Sequence, residues 1–387
     1  MNDSIRRFRD VIVSLKLTVV LLAVGMVLIF AATLSQVDLG VWGVQQRFFH
    51  SFFAVWHVGP LFVPLPGGYV VGGLLLINLI AAHIYRFKFT WRKSGIFFTH
   101  LGVILLLIGE LLSGLWQEVY QMKIDQGQTV GYAEHERRYE LAVLDTTDPQ
   151  FDDVVAIPED FLTHGDPIQY PKLPFRVIPK AYYPNASLSR RTENSAAAPS
   201  LATQGIGPQV VATPLPLTYK DSEINIPALF VELAGPEGSL GTWLVSPDLG
   251  MPQTLSFGGH TWKLVLRPER VYKDFSMTLL ELRHDVYPGT DIPKNFSSRI
   301  RLATPNGRDD RDVLIFMNSP LRYAGLTFYQ YQMNSAGNYT VLQVVRNPSW
   351  QLPYISCALV ALGLLVQFGI HLTGFFGKRR GAKPAAT

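Results

Sequence analysis

Apolar residues along this chain gather into four long, nearly uncharged windows, at about residues 12–34, 69–85, 95–116 and 352–375. Each approaches the ~20 residues that a helix rising about 1.5 Å per residue needs to cross a ~30 Å hydrocarbon layer. The pattern predicts an integral membrane protein with four transmembrane helices. Between the third and fourth windows it changes to short alternating runs, such as Tyr139 to Leu144, Leu229 to Leu233, Thr242 to Val245 and Thr261 to Leu266, separated by Gly, Pro, Asn and Asp. Alternation of this kind predicts strands. Gly235-Pro236-Glu237-Gly238, Pro305-Asn306-Gly307 and Asn334-Ser335-Ala336-Gly337-Asn338 read as hairpin turns. Short, regular strands predict a large mainly β domain over 117–351, packed as a sandwich or open barrel.

Two stretches fit neither pattern. In VWGVQQRFFHSFFAVWHVGPLFVPLP, Trp42, Phe48, Phe49, Phe52, Phe53 and Trp56 recur three and four apart beside Gln45, Gln46, Arg47 and His50. That spacing predicts an amphipathic helix within the 35–68 loop, lying on the membrane surface or packed on neighbouring spans. Gly59-Pro60 and Pro64-Leu65-Pro66-Gly67-Gly68 end it. Residues 185–217, rich in Ala, Ser, Thr and Pro without period, predict a mobile insertion. No internal repeat is present.

Charge changes the picture by its placement. The formal net charge is +4, yet residues 117–351 hold 21 Lys and Arg against 26 Asp and Glu. The basic excess flanks the spans: Arg6, Arg7, Arg9 and Lys16; Arg86, Lys88, Arg92 and Lys93; Lys378, Arg379, Arg380 and Lys383. Short cytoplasmic segments retain Lys and Arg. Both termini and the 86–94 loop are therefore expected in the cytoplasm, with 35–68 and 117–351 periplasmic, and no nucleic-acid partner is implied. The first apolar core is longer than the 7–15 residues usual for a signal peptide, so a retained span is expected. The single cysteine, Cys357, lies in the fourth window, so the outer domain has no disulfide. Without Cys-x-x-Cys-His, the chain is not itself a c-type cytochrome.

Candidate chemistry sits inside the spans. His100 falls about 8 Å into the third from its cytoplasmic end, and His83 and His371 fall near the same end of the second and fourth. A neutral imidazole offers a lone pair to haem iron; a His near a helix end also snorkels or bonds a neighbouring carbonyl. His100 is the main candidate, since it is deepest and Gly102 beside it would let a flat ring approach. Glu110 lies about 15 Å further along the helix and about 280° around it, off the face of His100; an intramembrane carboxylate reads as functional by default, or as hydrated near the outer mouth. The outer histidines His135, His164, His260 and His284 show no metal-ligand spacing. Phe328-Tyr329-Gln330-Tyr331 and Tyr323 offer either core residues or an aromatic surface for a peptide.

Three spans, a β-rich region and a fourth span, with THLG at Thr99 to Gly102, YKDFSMTLLELRHDVYPGTDIPKNFSSRIRL at Tyr272 to Leu302 and MNSPLRYAGLTFYQYQ at Met317 to Gln332, resemble the ResB (CcsB) family of cytochrome c biogenesis proteins. These form the less catalytic half of the system II cytochrome c synthetase. The resemblance covers nearly the whole chain apart from 185–217. It implies that His100 is an axial ligand to haem b within the inner (cytoplasmic) membrane and adds little for His83. It also implies a CcsA-type partner that supplies the opposing histidine and a WWD segment, and apocytochrome c as the acceptor. The seven tryptophans here never cluster, so this chain alone is not expected to attach haem or to act as an enzyme. The alternative is a membrane-anchored extracytoplasmic sensor or ligand-binding protein. A sensor needs a cytoplasmic output module, and about a dozen residues follow the fourth span; a lone transporter would show paired broken helices, which are absent.

Overall fold

In a computed structural model, described for residues 3–192, 199–220, 223–290, 293–334 and 338–381, the chain divides into two compact units. The first comprises residues 1–118, 219–221 and 346–387; the second comprises the remainder.

Among the described residues, four helices of the first unit are long and apolar enough to cross a membrane. A short charged helix α1 (Asp3–Ile12) precedes α2 (Leu15–Val44). The break falls at Ser14, whose backbone is extended and whose side chain accepts the Leu17 N–H, satisfying one of the free amides that begin a helix. Asn78, a polar residue in the middle of α3 (Gly68–Tyr85), is 2% exposed. It spans the break by donating to Ile12 O and Ser14 O and accepting from Thr18 Oγ1 at 2.7 Å.

The 35–68 loop differs from expectation. Instead of a separate amphipathic helix, α2 continues to Val44, bends at Gly40 (φ 68°), and runs into one π turn over Gln45–Phe49. A hairpin follows, with β1 (Phe53–Val58) antiparallel to β2 (Leu61–Pro66) and Gly59 and Pro60 as its turn. The helical backbone ends at Phe49, so the three-and-four ring spacing between Phe48 and Trp56 runs past it into the ribbon. Beyond Phe49, β-branched residues and the prolines at 64 and 66 disfavour a helix, whereas alternation suits a ribbon. A Cβ on Gly40 would lie 2.8 Å from Lys220 Cα and Tyr219 O. Tyr219 also stacks on Trp42 with centroids 5.6 Å apart and lies under the Arg47 guanidinium at 4.4 Å.

Helices α4 (Ser94–Trp116) and α6 (Leu352–Gly381) pack closely. Gly95, Gly102 and Gly109, seven apart, face α6, where added Cβ atoms would meet Gln367, Val360 with Ser356 O, and Leu352. Small residues let backbones approach where lipid removes the hydrophobic drive between helices. Ser349 Oγ donates to Gly109 O at 3.2 Å at one end of this seam.

Among the described residues the second unit is mainly β, with one short α-helix, α5 (Glu159–His164). Its largest sheet combines β3 (Glu118–Asp125), β4 (Thr129–Asp145), β5 (Asp153–Pro158), β11 (Gln253–Phe257), β12 (His260–Val286), β13 (Pro293–Ala303), β14 (Asp310–Phe316), β15 (Leu321–Tyr323), β16 (Leu326–Met333) and β17 (Tyr339–Arg346). The order is β14-β13-β12-β4-β3-β17-β16-β15, with β11 on β12 and β5 on β4. The sheet curls into a nearly closed barrel: Ser298 Oγ of β13 donates to Gln330 Oε1 of β16 at 2.6 Å and lies 3.0 Å from the Thr340 hydroxyl of β17, with Ser298 and Thr340 fully buried. A second core lies against a three-stranded sheet, β10-β9-β6, made of β6 (Arg176–Tyr183), β9 (Ala228–Gly235) and β10 (Gly238–Val245).

The expected hairpins over 235–238 and 305–307 form, as β9/β10 and β13/β14. β16 pairs with β17 as expected, while residues 335–337 of that turn lie outside the described residues. Two expectations need correction. The strands are not uniformly short: β12 runs 27 residues and β4 runs 17. They serve both cores by shifting register between Pro268 and Arg270 and between Tyr272 and Met277, where bulges bend the strands. And the described part of the 185–217 stretch is built by pairing: β7 (Ala186–Arg190) and β8 (Val210–Pro214) form an antiparallel ribbon, and Ala186 and Ala202 are buried beside Phe230 and Leu244, while residues 193–198 of the expected mobile insertion lie outside the described residues. Side chains too small to give a periodic signal are here the ones that fit under the sheet.

In this unit Asp145 accepts from the Thr147 hydroxyl and lies 2.7 Å from His260 Nδ1. The Thr147 hydroxyl first, and the histidine next to it, hold the Asp145 carboxyl below the usual aspartate range. A lowered carboxyl contributes stability above its unfolded value, near pH ~4, that disappears as the pH falls through its folded value. Thr147→Val is therefore expected to lower the thermal midpoint at pH 7, with the difference from the parent shrinking in acid, as the pH falls below ~4. Parallel offsets at both pH values, measured on the full chain, would contradict this linkage.

Candidate functional site

The candidate site is built on α3 and α4, which lie side by side in the first unit. His83, near the end of α3, and His100, six residues into α4, meet at ring centroids 4.8 Å apart and interplanar 89°. His100 Nδ1 lies 3.2 Å from His83 Nε2, and His83 Nδ1 lies 3.0 Å from Leu79 O, one turn back along α3. Phe87 stacks on the His83 ring with centroids 5.0 Å apart, and Phe97 covers it at 6.5 Å. Both imidazoles are half-buried. Among the described residues, no hydrogen bond is made by His100 Nε2.

Sequence reasoning placed both histidines at one level, and the structure joins them. His371 takes no part in the pair; Gln367 Nε2 bonds its Nε2 at 2.9 Å within α6. The role given to Gly102 also changes. At 100° per residue it lies about 200° around α4 from His100, and its face is filled by Val360 and Ser356 of α6. Its missing side chain serves helix packing, not a flat ligand. Glu110 is exposed on α4, about 80° from His100 around the helix, and takes no part in the pair. Asn78 is the polar residue that sequence reasoning misses; an amide nine residues past the start of the 69–85 apolar window is the available signal.

The pair suits iron ligation by the chemistry of its donors. Imidazole nitrogen is a common axial ligand of haem, and His100 presents one nitrogen already hydrogen-bonded and one unoccupied. No group of three or more His, Cys, Asp or Glu side chains able to hold a metal ion occurs among the described residues.

The other polar candidates are structural. His260 pairs with Asp145, His284 stacks on Phe296 at 4.7 Å, His135 packs on Tyr120 at 4.5 Å, and His164 bonds Asp160 O of its own helix. Phe328 is fully buried, 6.0 Å from Phe275, on which Tyr323 also packs at 5.1 Å. Tyr329 and Tyr331 are 39% and 40% exposed. The aromatic segment is thus core at Phe328, with Tyr323 partly buried against that core and partly open rings at Tyr329 and Tyr331.

Comparison with known proteins agrees with the resemblance. Residues 259–338, spanning β12 to β16, match the profile of the ResB-like family. Protein NrfI of Wolinella succinogenes is 33% identical over 104 residues, which is 26% of this chain and 11% of NrfI. The chain thus matches about a tenth of that relative's length. Both matches cover only part of the chain, and both agree with its likeness to the ResB/CcsB family.

Proposed function

We infer that this ResB-like chain is the haem-holding, non-catalytic subunit of a system II cytochrome c synthetase. In this reading the spans lie in the bacterial inner membrane, with termini and the Arg86–Lys93 loop cytoplasmic and the β unit periplasmic, as the flanking Lys and Arg favour. The carrying observation is the His83–His100 pair, which leaves one imidazole nitrogen of His100 unpaired.

Haem b is cargo here. Its faces are apolar and its iron is electrophilic, so a slot between spans shelters the ring while imidazoles hold the metal. His100 supplies one axial nitrogen, and a CcsA-type WWD partner supplies the other. The complex exports haem and supports its covalent attachment to apocytochrome c: each vinyl group gains a C–S bond to a thiol of Cys-x-x-Cys-His, and the thiol proton passes to the vinyl carbon. The thiols must arrive reduced, and the one cysteine of this chain, Cys357 in α6, offers no dithiol to reduce them.

Co-expression with the partner, purification in mild detergent and a Soret spectrum test the assignment. His100→Ala is expected to lose most of the bound haem or to shift the band, with both chains still co-purifying. Unchanged haem content and band position would remove His100 as ligand.

A further inference from the structure

The hydrogen bonds around the two imidazoles have a direction. A backbone carbonyl only accepts, so the 3.0 Å contact between His83 Nδ1 and Leu79 O requires a proton on His83 Nδ1. A neutral imidazole carries one N–H, so Nε2 of His83 is bare and can only accept. The 3.2 Å contact with His100 Nδ1 then requires the proton to sit on His100. Neutral His100, with its proton on Nδ1, is left with a bare lone pair on Nε2. The reverse arrangement, with His83 donating to His100, would set an unprotonated His83 Nδ1 against the Leu79 carbonyl, lone pair to lone pair. It could be rescued by a doubly protonated His83, a cation in an apolar span between Phe87 and Phe97, which is costly.

We propose that His83 is a positioning residue: through the relay Leu79 O, His83, His100 it holds His100 in the Nδ1–H tautomer and presents Nε2 to iron. Metal-binding histidines generally donate their second N–H to an acceptor, which sets ring orientation and raises ligand basicity. Here the acceptor is a second imidazole, itself oriented by the helix carbonyl one turn earlier and by the stacked Phe87. His83 therefore ligates nothing, which revises its standing as a second candidate for iron. The part concerning iron rests on the reading of His100 as haem ligand; the tautomer assignment stands without it.

The two parts are tested separately. Solid-state 15N spectra of the full chain in lipid bilayers, labelled at histidine, report which ring nitrogen of each imidazole is protonated; His100→Gln assigns the resonances. The wild-type chain without haem is expected to show His100 protonated at Nδ1 and bare at Nε2. His83→Phe, which keeps a ring beside Phe87 and Phe97, is expected to make His100 a mixture of tautomers. A wild-type His100 protonated at Nε2 overturns the proposal, and this needs no variant to fold. An unchanged tautomer in a folded His83→Phe protein also overturns it. In the co-purified complex, His83→Phe is expected to weaken haem retention about 10–100-fold and to raise the midpoint potential, since the ligand becomes a poorer donor. A relay present in the spectra beside an unaltered Soret band in His100→Ala would leave the tautomer assignment intact and sink the haem reading alone.

Discussion

Gly102→Leu is expected to pry α4 from α6 and to lower the thermal midpoint of the purified protein by several degrees. An added Cβ would stand 2.7 Å from Val360 Cγ2, 2.8 Å from Ser356 O and 3.0 Å from Val360 N. Two of the three are backbone atoms, so a rotamer change does not relieve the overlap. Overpacking typically costs ~1–3 kcal/mol, and this site should lie at the upper end because the helices must separate as rigid bodies. Gly73→Ala on α3, where nothing lies within 4 Å, is the matched control and should be near neutral. Equal midpoints for the two variants, read by thermal unfolding in detergent, would show that the glycine seam does not hold the helices together. The same seam fixes the rotation of α4, so Gly102→Leu should also disturb the pairing of His100 with His83.

The second large effect is expected in the β unit. Arg267 Nε donates to Glu140 Oε1 at 2.8 Å between paired residues of β12 and β4, and the side chains are 11% and 4% exposed. Glu140→Ala leaves a guanidinium in a nearly dry sheet, and removing one partner of such a pair costs ~3–5 kcal/mol. Arg267 Nη2 already lacks a hydrogen-bond partner, which leaves little to compensate. Glu140→Leu together with Arg267→Met should recover most of the loss, because the desolvation cost of both charges goes with them. Unfolding followed by the fluorescence of Trp243 and Trp262, both in the adjoining core, reads the difference. A single replacement as harmless as the double one would mean that water reaches the pair.

Legibility from sequence followed the range of the forces involved. The four spans were readable because burying ~20 apolar residues in a bilayer depends on composition and length alone. The 235–238 and 305–307 hairpins were readable because Gly, Pro and Asn set turn geometry locally. By contrast, Phe53–Val58, which pairs with Leu61–Pro66 as a ribbon, reads as the end of a helix, since ring spacing competes with β-branched residues and prolines that act just as locally. The ordering of Ala186 and Ala202 depended on Phe230 and Leu244, which lie between about 30 and 60 residues away in sequence.

The site divides the same way. Chain length between windows and the alternation of direction placed His83 and His100 at one depth, because helix rise is a constant of the backbone. Which face of α4 turns toward α3 was settled by the packing of Gly95, Gly102 and Gly109 on α6, a contact between residues roughly 240 to 270 positions apart. That rotation sets His100 against His83, leaves His371 on its own helix and exposes Glu110. Sequence alone determined that this is a four-span protein with a β-rich unit and imidazoles in the span ends. Tertiary structure decided which imidazoles meet and which nitrogen remains open, because hydrogen-bond direction depends on angstrom-scale placement that periodicity does not encode.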